Sequence, residues 1–211
     1  MKKYKNFLEF LNSYKFSKKS PRLTKEEIEF IFDNLEEKDK IVGLVEIYKN
    51  NEFIERGKNL VVYDGREFAA SKTFDLGDYT DWSITHFGVG NGGTNSNDGT
   101  TKIGPDDPDN DLYSPLKLNE SNPDYKRDGI LKPINSKQII LDTNTNHYTT
   151  IENTLSIVVS EEPDLVAPVK INEVGLFYTN GDNWRLFSHY TTTDKILEEN
   201  ESITFKWYIL F

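Results

Sequence analysis

The chain of 211 residues contains no cysteine and only three histidines. The lack of cysteine excludes disulfide bonds, thiolate metal sites, iron–sulfur clusters and a cysteine nucleophile. His86, His147 and His189 are far apart in the sequence, which gives little basis for a histidine-rich metal site. The sequence therefore predicts no bound cofactor.

Long hydrophobic runs are also missing. Hydrophobic residues make up only 36% of the chain, and no apolar run is long enough to cross a membrane. The N-terminal sequence MKKYKNFLEFLNSYK has a basic start but no continuous apolar stretch and no small-residue cleavage site, so we expect no signal peptide. Aromatic residues are plentiful, at 13%, and each ring buries a large area. The composition is therefore that of a folded protein.

Positive charge is the scarcer sign. The chain has 25 Lys and Arg residues against 35 Asp and Glu residues, for a formal net charge of −10. Such a chain would bind DNA or RNA against its own electrostatic field. We therefore expect no direct nucleic-acid partner, and the short apolar runs predict no membrane partner.

Residues 1–40 differ from the rest and predict a short helical docking segment. A first amphipathic stripe ends at the SPRL sequence of 20–23, and Thr24 and Glu27 then have the spacing of a capping box. The acidic second stripe disfavours a DNA-binding role for this helix pair and favours packing or docking on protein. The apolar residues at helical spacing are Phe7, Leu8, Phe10, Leu11 and Tyr14 in the first stripe and Ile28, Ile31, Phe32 and Leu35 in the second.

From residue 41 the hydrophobic period changes to two, which predicts β-strands. The run 41–63 predicts a hairpin with its turn at Asn50 and Asn51. Residues 64–74 predict one or two helical turns with Asp64 as the N-cap. The run 84–93 begins as a strand and continues into glycine.

The C-terminal part of the chain predicts mostly strands. The pair Asn180 and Gly181 predicts a hairpin turn, and DKILEENE (194–201) predicts a turn or loop before the last strand. Several short strands separated by turns predict a mainly β fold for residues 41–211, an antiparallel, jelly-roll-like β-sandwich. The strands of this part are predicted at 136–142, 148–160, 171–178, 184–190 and 202–211.

A polar stretch at about 91–129 contains many turn-forming residues and few apolar ones. A loop of this length in a compact domain is usually functional or laid over a partner. We expect it to hold neighbouring subunits, and we expect its deletion (95–128) to leave the domain folded.

Several patterns suggest chemistry only weakly. The GVGNGG sequence lacks the Gly-Lys-Ser/Thr ending of a phosphate loop, so a flexible turn is the better interpretation. The acidic run at 106–111 could bind Ca²⁺ through carboxylates but lacks the order of an EF-hand, so a solvated acidic loop is favoured. The carboxylates of that weak calcium candidate are Asp106, Asp107, Asp109 and Asp111.

Three further catalytic or binding patterns are weakly supported by the sequence. Asp81, Ser83 and His86 are too close together on one predicted strand to form a catalytic triad, so a locally bonded strand histidine is favoured. No pair of the many acidic residues is singled out as a glycosidase pair. Three tryptophans could form a sugar-binding platform, although core packing is the better interpretation because Trp207 lies on the apolar face of its strand. The other two are Trp82 and Trp184.

Three segments together resemble a β-sandwich found in structural proteins of tailed bacteriophages. They are GKNLVVYDGREFAA (57–70), ITHFGVGNGGT (84–94) and the C-terminal 171–211, which contains INEVGLF and ITFKWYI. The matching residues are His86, Gly88, Gly90, Gly92, Gly93 and Thr94 in the second segment, and Glu173, Gly175, Leu176, Phe177, Phe205 and Trp207 in the third.

The resemblance implies a non-enzymatic virion protein, an adaptor in the tail, baseplate or neck. Such proteins assemble as symmetric rings and hold other phage structural proteins or fibres. The residues leave two other classes open: a receptor- or carbohydrate-binding β-sandwich, and a depolymerase enzyme.

Overall fold

The structure is a computed structural model that describes residues 42–75, 79–95, 97–106, 110–141, 149–181 and 183–210. The predicted helical segment 1–40 lies outside these residues. The described part contains nine strands and one α-helix, α1 (Tyr63–Phe74). The strands are β1 (Val42–Lys49), β2 (Glu52–Val61), β3 (Ser83–Gly90), β4 (Lys132–Pro133), β5 (Ser136–Leu141), β6 (Thr149–Val158), β7 (Val169–Thr179), β8 (Trp184–Leu197) and β9 (Ser202–Leu210).

All nine strands belong to one antiparallel sheet, in the order β4-β3-β7-β8-β2-β1-β9-β6-β5. The predicted mainly β, antiparallel class is confirmed. Two separate sheets are not distinguished, because β2 pairs with β1 along most of its length and with β8 through Leu60 and Val61. One strand thus joins the two halves into a single curled sheet.

The two edges of the sheet lie close together. Strands β4 and β5 are at opposite ends of the strand order but are separated by only Ile134 and Asn135. The Ile134 N–H donates to the Thr85 carbonyl on β3 (2.9 Å), and the next residue, Asn135, donates to the Thr154 carbonyl on β6 (3.1 Å). Because two linking residues span only a short distance, the sheet must curl into an open half-barrel.

The main core lies inside the curl and draws on both halves of the sheet. Val45 and Phe205 come from one half, and Phe87 and Leu176 come from the other; all four are fully buried in the same cluster. Trp207 is also fully buried there, which agrees with its predicted place on the apolar face of the last strand.

The predicted first hairpin is confirmed. Asn50 and Asn51 have φ angles of 50° and 66°, the left-handed pair that a tight two-residue hairpin turn requires and that asparagine tolerates. The predicted turn after β7 is also present, with the Asn180 N–H donating to the Asn183 carbonyl (3.3 Å).

Helix α1 differs from its prediction at its N-terminus. The N-cap is Val62, which makes no side-chain cap, and Asp64 lies inside the first turn instead. A carboxylate there favours the helix through its dipole and not as a cap. The helix packs on β8, and its Phe68 ring stacks on Tyr178 with centroids 4.4 Å apart.

Strand β8 is longer than predicted. The DKIL part of the expected loop at 194–201 is strand, because Ile196 and Leu197 pair with Lys170 and Val169 of β7. The turn is confined to the following residues, where the Glu201 N–H donates to the Glu198 carbonyl (3.0 Å). Pairing with β7 therefore overrides the polar composition of this segment.

Candidate functional site

The two segments that carry most of the resemblance lie side by side as β3 and β7. Gly88 pairs with Gly175, and Gly90 pairs with Glu173. Alternate residues of these strands face the main core, while the two glycines of the first pair and Phe177 face the opposite side, which we call the outer face. The sequence separates these motifs by about 80 residues, and the sheet brings them together.

The long loop covers this outer face. Leu112 of the loop and Leu131, which follows the loop, are buried in a second cluster with Phe177 and Leu186. Leu118 of the same loop is fully buried in the main core. The loop therefore has apolar anchors that the sequence pattern does not reveal, because they are single leucines within a polar stretch.

Two glycines allow the loop backbone to approach the sheet. A Cβ atom on Gly90 would lie 2.3 Å from Glu173 Oε1 and 2.5 Å from the Ser114 carbonyl. A Cβ atom on Gly93 would lie 2.3 Å from the Asn172 carbonyl. Any larger residue would push the loop away from β7, so these two motif glycines serve a close backbone approach.

Glu173 is the centre of the contact between loop and sheet. Its side chain is fully buried, and Oε1 accepts hydrogen bonds from the backbone N–H groups of Gly92 (3.0 Å) and Ser114 (2.8 Å). The other oxygen, Oε2, accepts from the Tyr113 N–H (2.9 Å) and lies 3.1 Å from His189 Nε2. One carboxylate thus binds the loop backbone at Gly92 and again at Tyr113 and Ser114, about 20 residues later.

These partners decide the ionisation of Glu173. Burial raises the pKa of the carboxyl, but the hydrogen bonds from His189, Ser114, Tyr113 and Gly92 outweigh burial and hold the pKa below its usual range. An ionised carboxylate accepts only, so His189 donates the proton on Nε2. His189 is itself fully buried.

A second polar cluster holds the beginning of the loop. The Gly93 N–H donates to Asn172 Oδ1 (2.7 Å), and Asn172 Nδ2 donates to Thr94 Oγ1 (2.7 Å). Asp194 accepts from both Thr94 and Asn172 (2.7 and 2.8 Å), and these bonds help hold the pKa of Asp194 below its usual range although burial raises it. We call Glu173, His189, Asn172, Thr94 and Asp194 the loop anchor.

Three anchor residues were not singled out from the sequence. His189, Asn172 and Asp194 come from β7 and β8, and only Asn172 gave a signal, as a polar residue beside Glu173 in an otherwise apolar strand. His189 and Asp194 become partners of the loop only through the pairing of β7 with β8.

The other predicted candidates are placed apart from the anchor. Both ring nitrogens of His86 have other partners, Thr85 Oγ1 (2.8 Å) and the Asp124 carbonyl (3.1 Å), and Ser83 and Asp81 are exposed. Burial lowers the pKa of His86, outweighing the hydrogen bond from its ring to the Asp124 carbonyl. The structure thus gives His86 one hydrogen bond with its neighbour Thr85 and one with the long loop, and assembles no triad from these three residues.

The acidic run is only partly described. Asp107 and Asp109 lie outside the described residues, Asp106 is exposed, and Asp111 forms an ion pair with Arg127 and accepts from the Leu112 N–H (2.8 Å). Within the described ranges, no group of three or more His, Asp or Glu side chains is placed to hold a metal ion.

The three tryptophans do not share a face. Trp207 is in the main core, Trp82 packs against Tyr178 (5.4 Å between centroids), and Trp184 packs against Phe177 (6.2 Å). Because Phe177 and Tyr178 are neighbours on one strand, they point to opposite faces of the sheet. The Arg127 guanidinium also covers the Trp184 ring at 4.1 Å.

Comparison with known proteins gives no match to a family model, to a curated protein or to a solved structure. Among the helices of the described residues, none is long and apolar enough to cross a membrane.

Proposed function

We propose that the chain is a non-enzymatic structural protein of a tailed bacteriophage particle. It is an adaptor in the tail, baseplate or neck that assembles as a ring and holds neighbouring subunits or fibres. The observation that carries this proposal is the loop anchor, in which Glu173 and Thr94, two residues of the resemblance, help fix a long loop on the sheet. Saturated by hydrogen bonds from its own chain, Glu173 acts as a scaffold and not as a reacting group.

The anchored loop supports an adaptor because it presents a preformed contact surface. Ile103 and Tyr113 are 43% and 39% exposed, although their backbones are tied to Gly93 and Glu173. A rigid loop with exposed apolar side chains loses little conformational entropy when a neighbour binds it. Repeated around a symmetry axis, the same surface can contact each neighbour in turn.

We further propose that the curled sheet is a jelly-roll-like sandwich whose two halves face each other across the main core. The shared cluster of Val45, Phe205, Phe87 and Leu176 supports this description. An experimental structure that gives the angle between β7 and β9 tests it, since aligned sandwiches keep their strands within about 30°.

Mass spectrometry and cryo-electron microscopy of one sample of purified phage particles test the function. We expect the chain in stoichiometric, symmetry-related density at the neck, tail or baseplate. Its absence from particles, together with abundance in the cells that produce them, would contradict the proposal. Binding of the isolated protein to a glycan array would instead support the carbohydrate-binding alternative.

A further inference from the structure

The sheet is buried on both sides at β1. Val45 and Ile47 face the main core, whereas Leu44 and Glu46 alternate with them and face the opposite side. These two outward residues are nevertheless 0% and 1% exposed. Among the described residues, Leu44 belongs neither to the main core nor to the second cluster, so a layer other than the main core or the long loop lies against it.

The neighbouring strands extend this buried surface. Glu46 pairs in register with Arg56 of β2, and Leu44 pairs with Tyr208 of β9. Tyr48 is also buried on this side. We call the surface formed by Leu44, Glu46, Tyr48, Arg56 and Tyr208 the β1 outer face.

An ion pair at the centre of this face requires a cover. Glu46 accepts from Arg56 Nε (2.9 Å) and from the hydroxyls of Tyr48 (2.8 Å) and Tyr208 (3.1 Å). The Glu46 and Arg56 side chains are 1% and 2% exposed. On an uncovered sheet face both groups would be hydrated, so their burial shows that another segment excludes water there.

Helix α1 and the long loop lie elsewhere. Helix α1 packs on β8, and the long loop covers β3 and β7 through Leu112, with Leu131 following the loop in the same cluster. Tyr48, Phe53 and Arg56 each make a further polar, ring or electrostatic contact. Outside the described residues, the longest segment is 1–41, and the next longest is the polar stretch 142–148.

We propose that residues 1–40 dock in cis on the β1 outer face through their apolar stripes. The two stripes supply the apolar side chains that a covering layer needs. Only residue 41 separates the segment from β1, so the short tether gives the segment a high effective concentration at this face. The inference is independent of the proposed phage function.

A single-cysteine reporter tests the proposal in the full-length chain, which has no native cysteine. Leu44→Cys places a thiol on the β1 outer face, Val45→Cys places one in the main core, and Ile54→Cys places one at an exposed site. Maleimide labelling under native conditions should modify only Ile54→Cys. Rapid labelling of Leu44→Cys in the folded chain would overturn the proposal.

The reporter is then combined with substitutions in the apolar stripe. Ile28→Asp with Phe32→Asp should raise the labelling rate of Leu44→Cys toward that of Ile54→Cys while Val45→Cys stays protected. Asn34→Asp adds a carboxylate outside the stripe and should change nothing. A parallel pair, Phe7→Asp with Leu11→Asp, tests the first stripe. Protection of Leu44→Cys that survives both pairs, or that is lost on dilution, would contradict docking in cis.

Cross-linking of the unmodified protein tests whether residues 1–40 lie on the β1 outer face, even where a variant unfolds. An amine-reactive reagent should link Lys58, an exposed lysine beside the β1 outer face, to lysines within residues 1–40. Links from residues 1–40 to Lys170 on β7, a strand that does not pair with β1, serve as the negative control. In a mixture of isotopically light and heavy chains, links confined to chains of one mass support docking in cis. Mixed-mass links would show that a second copy covers the face and would overturn the proposal.

Discussion

Oε2 of Glu173 lies 3.1 Å from Nε2 of His189, and both side chains are fully buried on the outer face of the sheet. The same carboxylate accepts three backbone N–H groups from the loop. A buried carboxylate satisfied in this way couples the position of the loop to the integrity of β7 and β8.

Glu173→Gln should destabilise the protein by about 3 kcal/mol, because the amide removes the charge and turns an N–H group toward donors that need an acceptor. Urea denaturation measures the free energy of unfolding. Hydrogen exchange at Gly92, Tyr113 and Ser114 should accelerate. Glu161→Gln, at an exposed site, is the matched control and should leave stability within about 0.5 kcal/mol. Equal stabilities of the two variants would contradict the anchoring role of Glu173.

Gly93→Ala should destabilise the protein by about 2 kcal/mol, because its Cβ would overlap the backbone carbonyl of Asn172. Gly104→Ala introduces the same methyl group into the same loop, where nothing lies within 4 Å. Thermal unfolding of the two variants should separate them clearly. A melting temperature of Gly93→Ala equal to that of Gly104→Ala would show that the close approach is not required.

Leu118→Ala should cost about 3 kcal/mol, since it opens a cavity beneath a loop residue that is fully buried in the main core. Ile103→Ala, at a 43% exposed position of the same loop, should cost less than about 0.5 kcal/mol. Chemical denaturation gives both values. Deletion of 95–128, which the composition of the loop predicts to leave the domain folded, should for the same reason lower the melting temperature.

Glu55→Gln should reduce the loss of unfolding free energy that the protein shows as the pH falls from about 4.5 toward 2. Burial alone would raise the pKa of Glu55. Hydrogen bonds from Lys195 and Thr192, together with the charges of Lys102 and Lys195, outweigh burial and lower the pKa to about 2. Because the folded pKa lies below the unfolded value of about 4.5, this carboxylate stabilises the protein above that pH. The stability is lost as the pH falls from about 4.5 toward 2.

The size of the acid effect follows from the same shift. Discounted for the partial exposure of the side chain, the contribution of the Glu55 carboxylate is about 2 kcal/mol at neutral pH. Urea denaturation between pH 2 and 7 measures it. The difference between wild type and Glu55→Gln should shrink on acidification, and a difference that is constant with pH would contradict the assignment.

The sequence by itself determined the elements that depend on local chemistry. Alternating apolar residues determined the strands of the first hairpin, and Asn50 with Asn51 determined its turn, because a left-handed backbone pair is a local property. The same alternation identified β9 and placed Trp207 in the core. The absence of cysteine excluded thiol and disulfide chemistry without reference to any fold.

Only the tertiary structure decided what depends on distant pairing. The first half of 194–201 is strand because Ile196 and Leu197 pair with β7. The long loop is held on the sheet because Leu112 and Leu118 pack against apolar side chains of distant strands. The loop anchor itself joins Glu173 to His189 across two strands and to the loop about 60 residues away. Such contacts have no local signature, since their energy comes from burial and hydrogen bonding that form only when the sheet curls and the loop closes over it.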